Sequence, residues 1–491
     1  MNAMQEEFWP MGLGADSSEE QLSGACLRLA MLPAVIQDSP NAPIPIFNGS
    51  VRLTEGGHTT EESCCIRYVF VPDPDLKFEV ASPSKLYGRV VDDVKLQPVG
   101  ADGPTRALLL QSGATWGHDE KVAPASGLLS GSVSFGGKAR IGRIRFHLLN
   151  FLDYRGDRIF RYGARQGPRS WTGRASFSMG PWQVTLDAQP DSRERLAEAR
   201  KQRRHVITHV GNLERRSDDG RRHKLFGAKE AERALELLYF VFTFANGACC
   251  PCVLPFGYRH MPTEVYRAAH GGARCAPAGN NGTWFAKENP SECFAFADRL
   301  YELWKDEGER SWLSSAIHLY VEANRNLSGV DIELAKSQIL LELLSWEAVQ
   351  ERQQLISREN FDRISAADKI RLALLWAGIS SEIPSHMEEL SGALAMLKEG
   401  ETGPFDGPFA ITQIRNATIH ATRSKRKRMA GMDDLARYQA WQLSQSYVAL
   451  LILRLLDYRG PYLPNYRRQS KTPSHGPFRL WLEVPWAQSQ A

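Results

Sequence analysis

Apolar side chains change their spacing part-way along this chain, and that switch constrains the fold more than any other feature. Between about residues 43 and 190 they fall in short runs separated by Gly, Pro and Asp; from about 285 onward they recur every three or four positions. The first pattern has the period of strands and the second that of helices buried along one face. The early runs are Ile46–Leu53, Cys65–Val71, Tyr87–Val91, Ala107–Gln111, Leu128–Phe135, Ile141–Leu149, Trp171–Met179 and Trp182–Leu186. Turns at Pro72-Asp73-Pro74-Asp75, Gly136-Gly137 and Gly180-Pro181 punctuate them. Such spacing predicts an antiparallel sandwich or barrel-like domain.

The later periodic stretches are Phe294–Trp304, Trp312–Val321, Ile332–Val349, Ile370–Ile379, a segment from Pro384-Ser385 toward Met396, Phe409–Ala421 and Asp433–Leu456. Ser365 and Ser385 supply helix starts, and the break at Gly400–Pro408 opens a new helix behind it. Expected core positions are Ile332, Leu334, Ile339, Leu340, Leu343, Leu344 and Trp346 on one helix, and Leu435, Trp441, Leu443, Tyr447, Leu450, Leu451 and Leu455 on the last. Together they predict an antiparallel α-helical bundle. A chain of 491 residues exceeds one compact core. The reading is an α+β protein: an arm over 1–42, a β-rich domain over 43–190, a basic mixed connecting region over 191–284, a helical domain over 285–460 and a tail over 461–491.

Net charge is only +4, so any nucleic-acid surface must come from local clustering. One cluster lies in Asp191–Lys224, with Arg193, Arg195, Arg200, Lys201, Arg203 and Arg204 before a short apolar piece and more arginines after it. It reads as a solvated helix and a hairpin turning at Asp218-Asp219-Gly220, with a phosphate-contacting surface as the alternative. His205, His209 and His223 there read as surface or core histidines. The eight cysteines lack the spacing of a disulfide framework, and the acidic N-terminus lacks the form of a secretory signal, which points to reduced thiols in a cytoplasmic protein. Cys249, Cys250 and Cys252 lack zinc-knuckle spacing, so no metal is expected there.

Leu237–Tyr258 carries no charge and is long enough to cross a bilayer, which leaves a membrane-associated effector as one alternative. Asn246, Gly247, Pro251 and Pro255 within it predict instead a buried helix, a turn and a strand, with no membrane contact. Neither a P-loop nor a Gly-x-Ser-x-Gly elbow occurs.

The chemistry-bearing stretch is Arg415-Asn416-Ala417-Thr418-Ile419-His420, followed by the cationic strip Arg423, Lys425, Arg426, Lys427 and Arg428. Arginine holds phosphate with a planar fork of donors, and histidine exchanges protons near neutrality. Asn416 both donates and accepts, so it can orient either the histidine or the phosphate. These parts suit metal-free cleavage of an RNA phosphodiester, and the strip would carry the polyanion onward. On a regular helix, residues five apart point about 140° away from each other and lie about 7.5 Å apart along the axis. Arg415 and His420 therefore meet only through a bend, or through a site shared with the same helix of a second subunit.

In its helical setting this string resembles the Arg-polar-spacer-His signature of the HEPN superfamily, the higher eukaryotes and prokaryotes nucleotide-binding domains. Ser345-Trp346-Glu347 is similar to the Ser-x-Glu element of an earlier HEPN helix, with Glu342 competing for the acidic role. A β-rich region followed by such a bundle resembles ApeA-like bacterial proteins of abortive defence against phage. The resemblance implies a metal-independent endoribonuclease toxin, without cofactor, active as a homodimer or higher even-numbered homo-oligomer. It implies products with 2′,3′-cyclic phosphate and 5′-hydroxyl ends, and a β domain that senses a phage-derived trigger. The alternative on the same residues is a non-catalytic HEPN-type module that binds RNA, a nucleotide or a protein.

Overall fold

The computed structural model describes residues 28–55, 57–80, 94–112, 125–163, 167–217, 224–325, 329–419, 422–423, 430–464 and 482–486. The Tyr87–Val91 run, the Asp218-Asp219-Gly220 turn, His223, His420 and Lys425–Arg428 lie outside the described residues.

After a short strand β1 (Arg28–Leu29), six antiparallel strands close into a barrel: β2 (Ile44–Glu55), β3 (His58–Val69), β4 (Asp75–Val80), β5 (Val94–Pro98), β6 (Thr105–Ser112) and β7 (Ala125–Ser130). Around it the order is β2-β3-β4-β7-β6-β5. Alternation makes the barrel: Leu76, Phe78 and Val80 point inward, while Asp75, Lys77 and Glu79 between them stay half-buried. Arg67 pairs with Glu79 across the outer face of β3 and β4 at 3.1 Å.

The second β unit is a nine-stranded sheet. Its further strands are β8 (Ser132–Phe135), β9 (Arg143–Leu149), β10 (Asp157–Gly163), β11 (Gly167–Met179), β12 (Trp182–Ala188), β13 (Ile207–Arg215), β14 (Cys252–His260) and β15 (Thr263–His270). The order is β1-β10-β11-β12-β13-β9-β14-β15-β8, so β13 and β14 flank the central β9. Three segments of the 191–284 stretch, β13, β14 and β15, are strands of this sheet. Buried polar residues hid β13 from its apolar pattern: Thr208, His209 and Asn212 are all inside, and Asn212 accepts a hydrogen bond from Arg145 Nε at 3.2 Å. One flank of the sheet shares a core with the barrel through Leu149, Ile207, Val253 and Leu254.

Helix α1 (Ser192–Gln202) leads into β13, and α2 (Ala228–Asn246) covers the sheet. The uncharged stretch behaves as its turn residues predict: α2 ends on Gly247 in the left-handed conformation (φ 65°), and β14 follows. A side chain at Gly247 would strike the Gly282 carbonyl at 2.0 Å. The segment is apolar all round because it is buried all round, with Leu237, Leu238, Val241, Phe242 and Phe244 at 2% exposure or less. Among the described residues, no helix is long and apolar enough to cross a membrane.

The helical region comprises α3 (Pro290–Cys293), α4 (Phe296–Leu303), α5 (Glu307–Asn324), α6 (Val330–Trp346), α7 (Arg358–Arg363), α8 (Ala366–Ala377), α9 (Glu388–Leu397), α10 (Gly407–Ile419) and α11 (Asp434–Leu455). A wider π-helical turn, Glu347–Arg352, extends α6. The short α3 and α4 belong with the sheet: Ser291 and Asp298 accept backbone amides of Ser176 and Gly180. Two short strands, β16 (Pro461–Tyr462) and β17 (Leu482–Glu483), pair beyond α11.

Helix α11 is the buried centre of the bundle, and it runs in the same direction as α6. Arg437 pairs with Asp331 at 3.2 Å, Gln445 donates to Ser337 at 2.7 Å, and Arg352 reaches the Leu455 carbonyl at 3.2 Å. The expectation of an antiparallel bundle is corrected for this pair. Four helices described above, α7 to α10, lie between α6 and α11 among the described residues, so no short loop forces the two to be antiparallel neighbours. Ile332, Ile339 and Leu435, expected in the core, are exposed. The expected Ser385 cap is also displaced, because α9 starts at Glu388 without a side-chain cap.

Candidate functional site

Helix α10 carries the candidate residues, and its start is tightly specified. Asp406 precedes Gly407-Pro408, and its carboxylate accepts the Phe409 amide at 3.0 Å, in the manner of an N-cap. The same buried carboxylate is forked by Arg371 from α8. Gly407 donates to the Ser381 carbonyl at 2.8 Å. Tyr447 of α11 donates to that carbonyl as well, at 3.1 Å. Sequence reading passed over Asp406 and Arg371; an Asp just ahead of Gly-Pro was the available signal.

Phe409, Ala410, Ile411, Ile414 and Ala417 form the buried face of α10. That face sets the angular position of Arg415 and Asn416, which sit half-buried at its border. Arg415 Nη1 donates to Asn416 Oδ1 at 3.1 Å, while Arg415 Nε is buried without a hydrogen-bond partner. No carboxylate among the described residues pairs with Arg415. A guanidinium held partly out of water with unused donors is set up to receive an anion.

The helix is continuous through Ile419. A bend that turned His420 toward Arg415 would therefore have to fall at His420 itself, which lies outside the described residues, as do Lys425, Arg426, Lys427 and Arg428. Arg423 is exposed. Ile419, on the last turn, exposes 49% of its surface.

Glu347 opens the π-helical turn at the end of α6. Burial raises its carboxyl to about 7, with Glu309 and Glu351 adding repulsion and Arg352 opposing them. Arg352 itself pairs with Glu309 at 3.0 Å and lies over the Trp312 ring. No hydrogen bond or ion pair among the described residues joins Glu347 to Arg415 or Asn416. The competing Glu342 accepts from Gln338 one turn earlier, and Ser345 is satisfied by the Leu341 carbonyl. The structure thus joins Arg415 with Asn416 and gives Glu347 a separate acidic neighbourhood.

The other singled-out groups are interior. Cys249, Cys250 and Cys275 are buried thiols pushed up by desolvation. His205 and His209 are buried, the first just ahead of β13 and the second within it.

Residues 136–280 match the family described as the YopA central domain, and residues 306–474 match the YopA C-terminal domain. The chain is similar to YopA. The SPbeta prophage-derived uncharacterized protein YopA of Bacillus subtilis (strain 168) is 25% identical over 444 residues, covering 89% of this chain and 94% of that protein. No solved structure matches the chain. The central match spans β9 to β15 with α1 and α2, and the C-terminal match spans α5 to α11, so the region between them falls at α3 and α4.

Proposed function

We propose that the helical region is a HEPN-type endoribonuclease that cuts RNA without a metal ion, with Arg415 and His420 as its working pair. The observation that carries this reading is the half-buried Arg415 guanidinium, which has an unpartnered Nε and no carboxylate counterpart among the described residues. His420 lies five positions on and Asn416 lies against the guanidinium. Arg415 holds the phosphate and offsets charge growing on its oxygens. His420 takes the ribose 2′-hydroxyl proton as that oxygen bonds to phosphorus, and the phosphorus bond to the 5′-oxygen breaks as that oxygen takes a proton from water. A 2′,3′-cyclic phosphate and a 5′-hydroxyl result.

Because α10 is an uninterrupted helix through Ile419, the pair in this reading is completed across two copies of the chain, with the exposed Ile419 end of the helix near the two-fold axis. The strip from Arg423 to Arg428 extends the phosphate track. In this reading the barrel and sheet restrain the nuclease until a phage-derived trigger arrives, as in ApeA-like defence. Similarity to a protein named as prophage-derived supports a setting of competition between phages and their hosts.

The test is incubation of purified protein with total RNA in chelator, followed by mapping of the ends. Arg415→Ala and His420→Ala should each abolish cleavage while leaving the melting transition in place. Persistent cleavage in both variants refutes the assignment. RNA binding without products would favour the non-catalytic module instead.

A further inference from the structure

Far from α10 in sequence, a second cationic feature is built into the fold. A cavity of about 300 Å³ is lined by Arg200, Arg203, Arg325, Asn280 and Asn281, and no carboxylate is among its lining residues. Three separate elements bring these groups together: the end of α1, the loop over 276–281 and the end of α5.

Each wall is fixed by its own packing. Leu196 and Ala199 on α1 bury against Val206 and Ala278, which pins the helix to the loop. Arg200 on the last turn of α1 and Arg203 just beyond its end both line the cavity. Arg200 Nε donates to the Gly279 carbonyl at 3.2 Å, and the Ala278 amide donates to the Arg204 carbonyl at 2.9 Å. On the third wall, Asn324 ties α5 to the loop by donating to the Gly247 and Gly282 carbonyls at 2.7 and 2.6 Å. Arg325 follows it and pairs with Glu322 at 3.2 Å.

Arg203 adds an independent sign. It caps α1 in the left-handed conformation, at φ 50° and ψ 49°, where glycine or asparagine is the unstrained choice. A strained arginine lining a cavity is the kind of backbone outlier that accompanies ligand contacts. No carboxylate among the described residues pairs with its guanidinium.

We propose that this cavity binds a small phosphate-bearing molecule. Arginine forks and asparagine amides are donors matched to phosphate oxygens. The volume lies at the small end of ligand sites, which run from about 300 to 1,000 Å³, and this favours a compact ligand over a polymer. No aromatic side chain lines the cavity, so recognition falls on the phosphate rather than on a stacked base. The ligand bridges α1 and its loop to α5, which opens the helical region. The inference stands apart from the Arg415 assignment.

Calorimetry on the full chain at fixed ionic strength tests it, with pyrophosphate, AMP and a short single-stranded RNA as probes. Pyrophosphate or AMP should bind, the first alone marking an inorganic ligand and the second a nucleotide. Arg203→Gly suits the positive φ and removes only the side chain; Arg325→Gln leaves α5 its polar end. Both should weaken binding about tenfold or more, and Lys201→Ala, outside the lining, should not. The proposal fails if neither small probe binds, or if both arginine variants bind as the parent does. It also fails if RNA alone binds with the same arginine dependence, which would make the cavity a polymer contact.

Discussion

Arg371 holds the carboxylate of Asp406 from two nitrogens, Nε at 2.7 Å and Nη2 at 2.9 Å, and that carboxylate also accepts the first-turn amide of α10. The helix bearing Arg415 is thus seated by a buried fork rather than by apolar packing alone. Asp406→Ala removes both the cap and one of the two carboxylates that hold the Arg371 guanidinium, leaving Asp368 as its counter-charge among the described residues. The expected cost is about 3 kcal/mol by urea denaturation. Asp406→Asn keeps an acceptor for the amide and should cost less. Under the proposed nuclease function, RNA cleavage should fall in parallel with the displacement of α10.

Glu347 gives a pH-dependent signature. Its carboxyl titrates near 7 in the fold against an ordinary value of 4.5, because burial and nearby Glu309 disfavour the charged form. Between those two values the folded state binds more protons than the unfolded state, so stability declines as pH rises through this window. The penalty is complete above about pH 7 and absent below about pH 4.5. Glu347→Gln should therefore stabilise the protein at pH 8 by about 1 to 2 kcal/mol, discounted for partial exposure, and hardly at pH 5. Equal shifts in melting temperature at both pH values would contradict this.

Periodicity made most of the architecture legible in the sequence. Alternation marked the barrel strands β2, β3 and β6 but passed over β4 and β5, while the Asn246-Gly247 stop and the prolines beyond it separated α2 from β14 despite their uninterrupted apolar character. What stayed hidden depended on tertiary partners. β13 carries buried polar residues, with Thr208 and Asn212 bonded to the neighbouring β9, so its apolar run looked like a fragment between charge clusters. The parallel course of α6 and α11 follows from long-range pairs such as Asp331 with Arg437, which no local pattern encodes. Arg415 and Asn416 could be singled out by residue type and spacing. Their seat on Asp406 and Arg371, 35 residues apart, could not.

The sheet carries its own acid sensitivity. Burial pushes His209 down to about 3, and His147 and His205 down to about 4, so all three are neutral in the fold at pH 7. Unfolded, each would take up a proton near 6.5, and stability is therefore lost as pH falls below that value. His209 stacks on Tyr154 at 5.1 Å between ring centroids, and its Nδ1 shares a hydrogen bond with Thr208. His209→Phe keeps an aromatic ring there but cannot be protonated. It should cost about 1 kcal/mol at neutral pH from the lost hydrogen bond, yet move the acid-unfolding midpoint, followed by circular dichroism, to lower pH.

Gly407 meets α11 so closely that any side chain would intrude. A Cβ there would lie 2.5 Å from Tyr447 Oη, 2.9 Å from Leu443 Cδ2 and 3.0 Å from the Ser381 carbonyl oxygen. Gly407→Ala should destabilise the bundle by about 1 to 3 kcal/mol through overpacking. Tyr447→Phe removes the hydroxyl at the nearest contact and forfeits its bond to Ser381, at a cost of about 1 kcal/mol. Because the second change makes room for the first, the double variant should be more stable than the sum of the two losses allows, by about 1 kcal/mol. Strict additivity in denaturant melts would mean that the new methyl is accommodated by a shift of α10 away from α11. Such a shift would carry Arg415 with it, so under the proposed function RNA cleavage by Gly407→Ala should then fall further than stability alone accounts for.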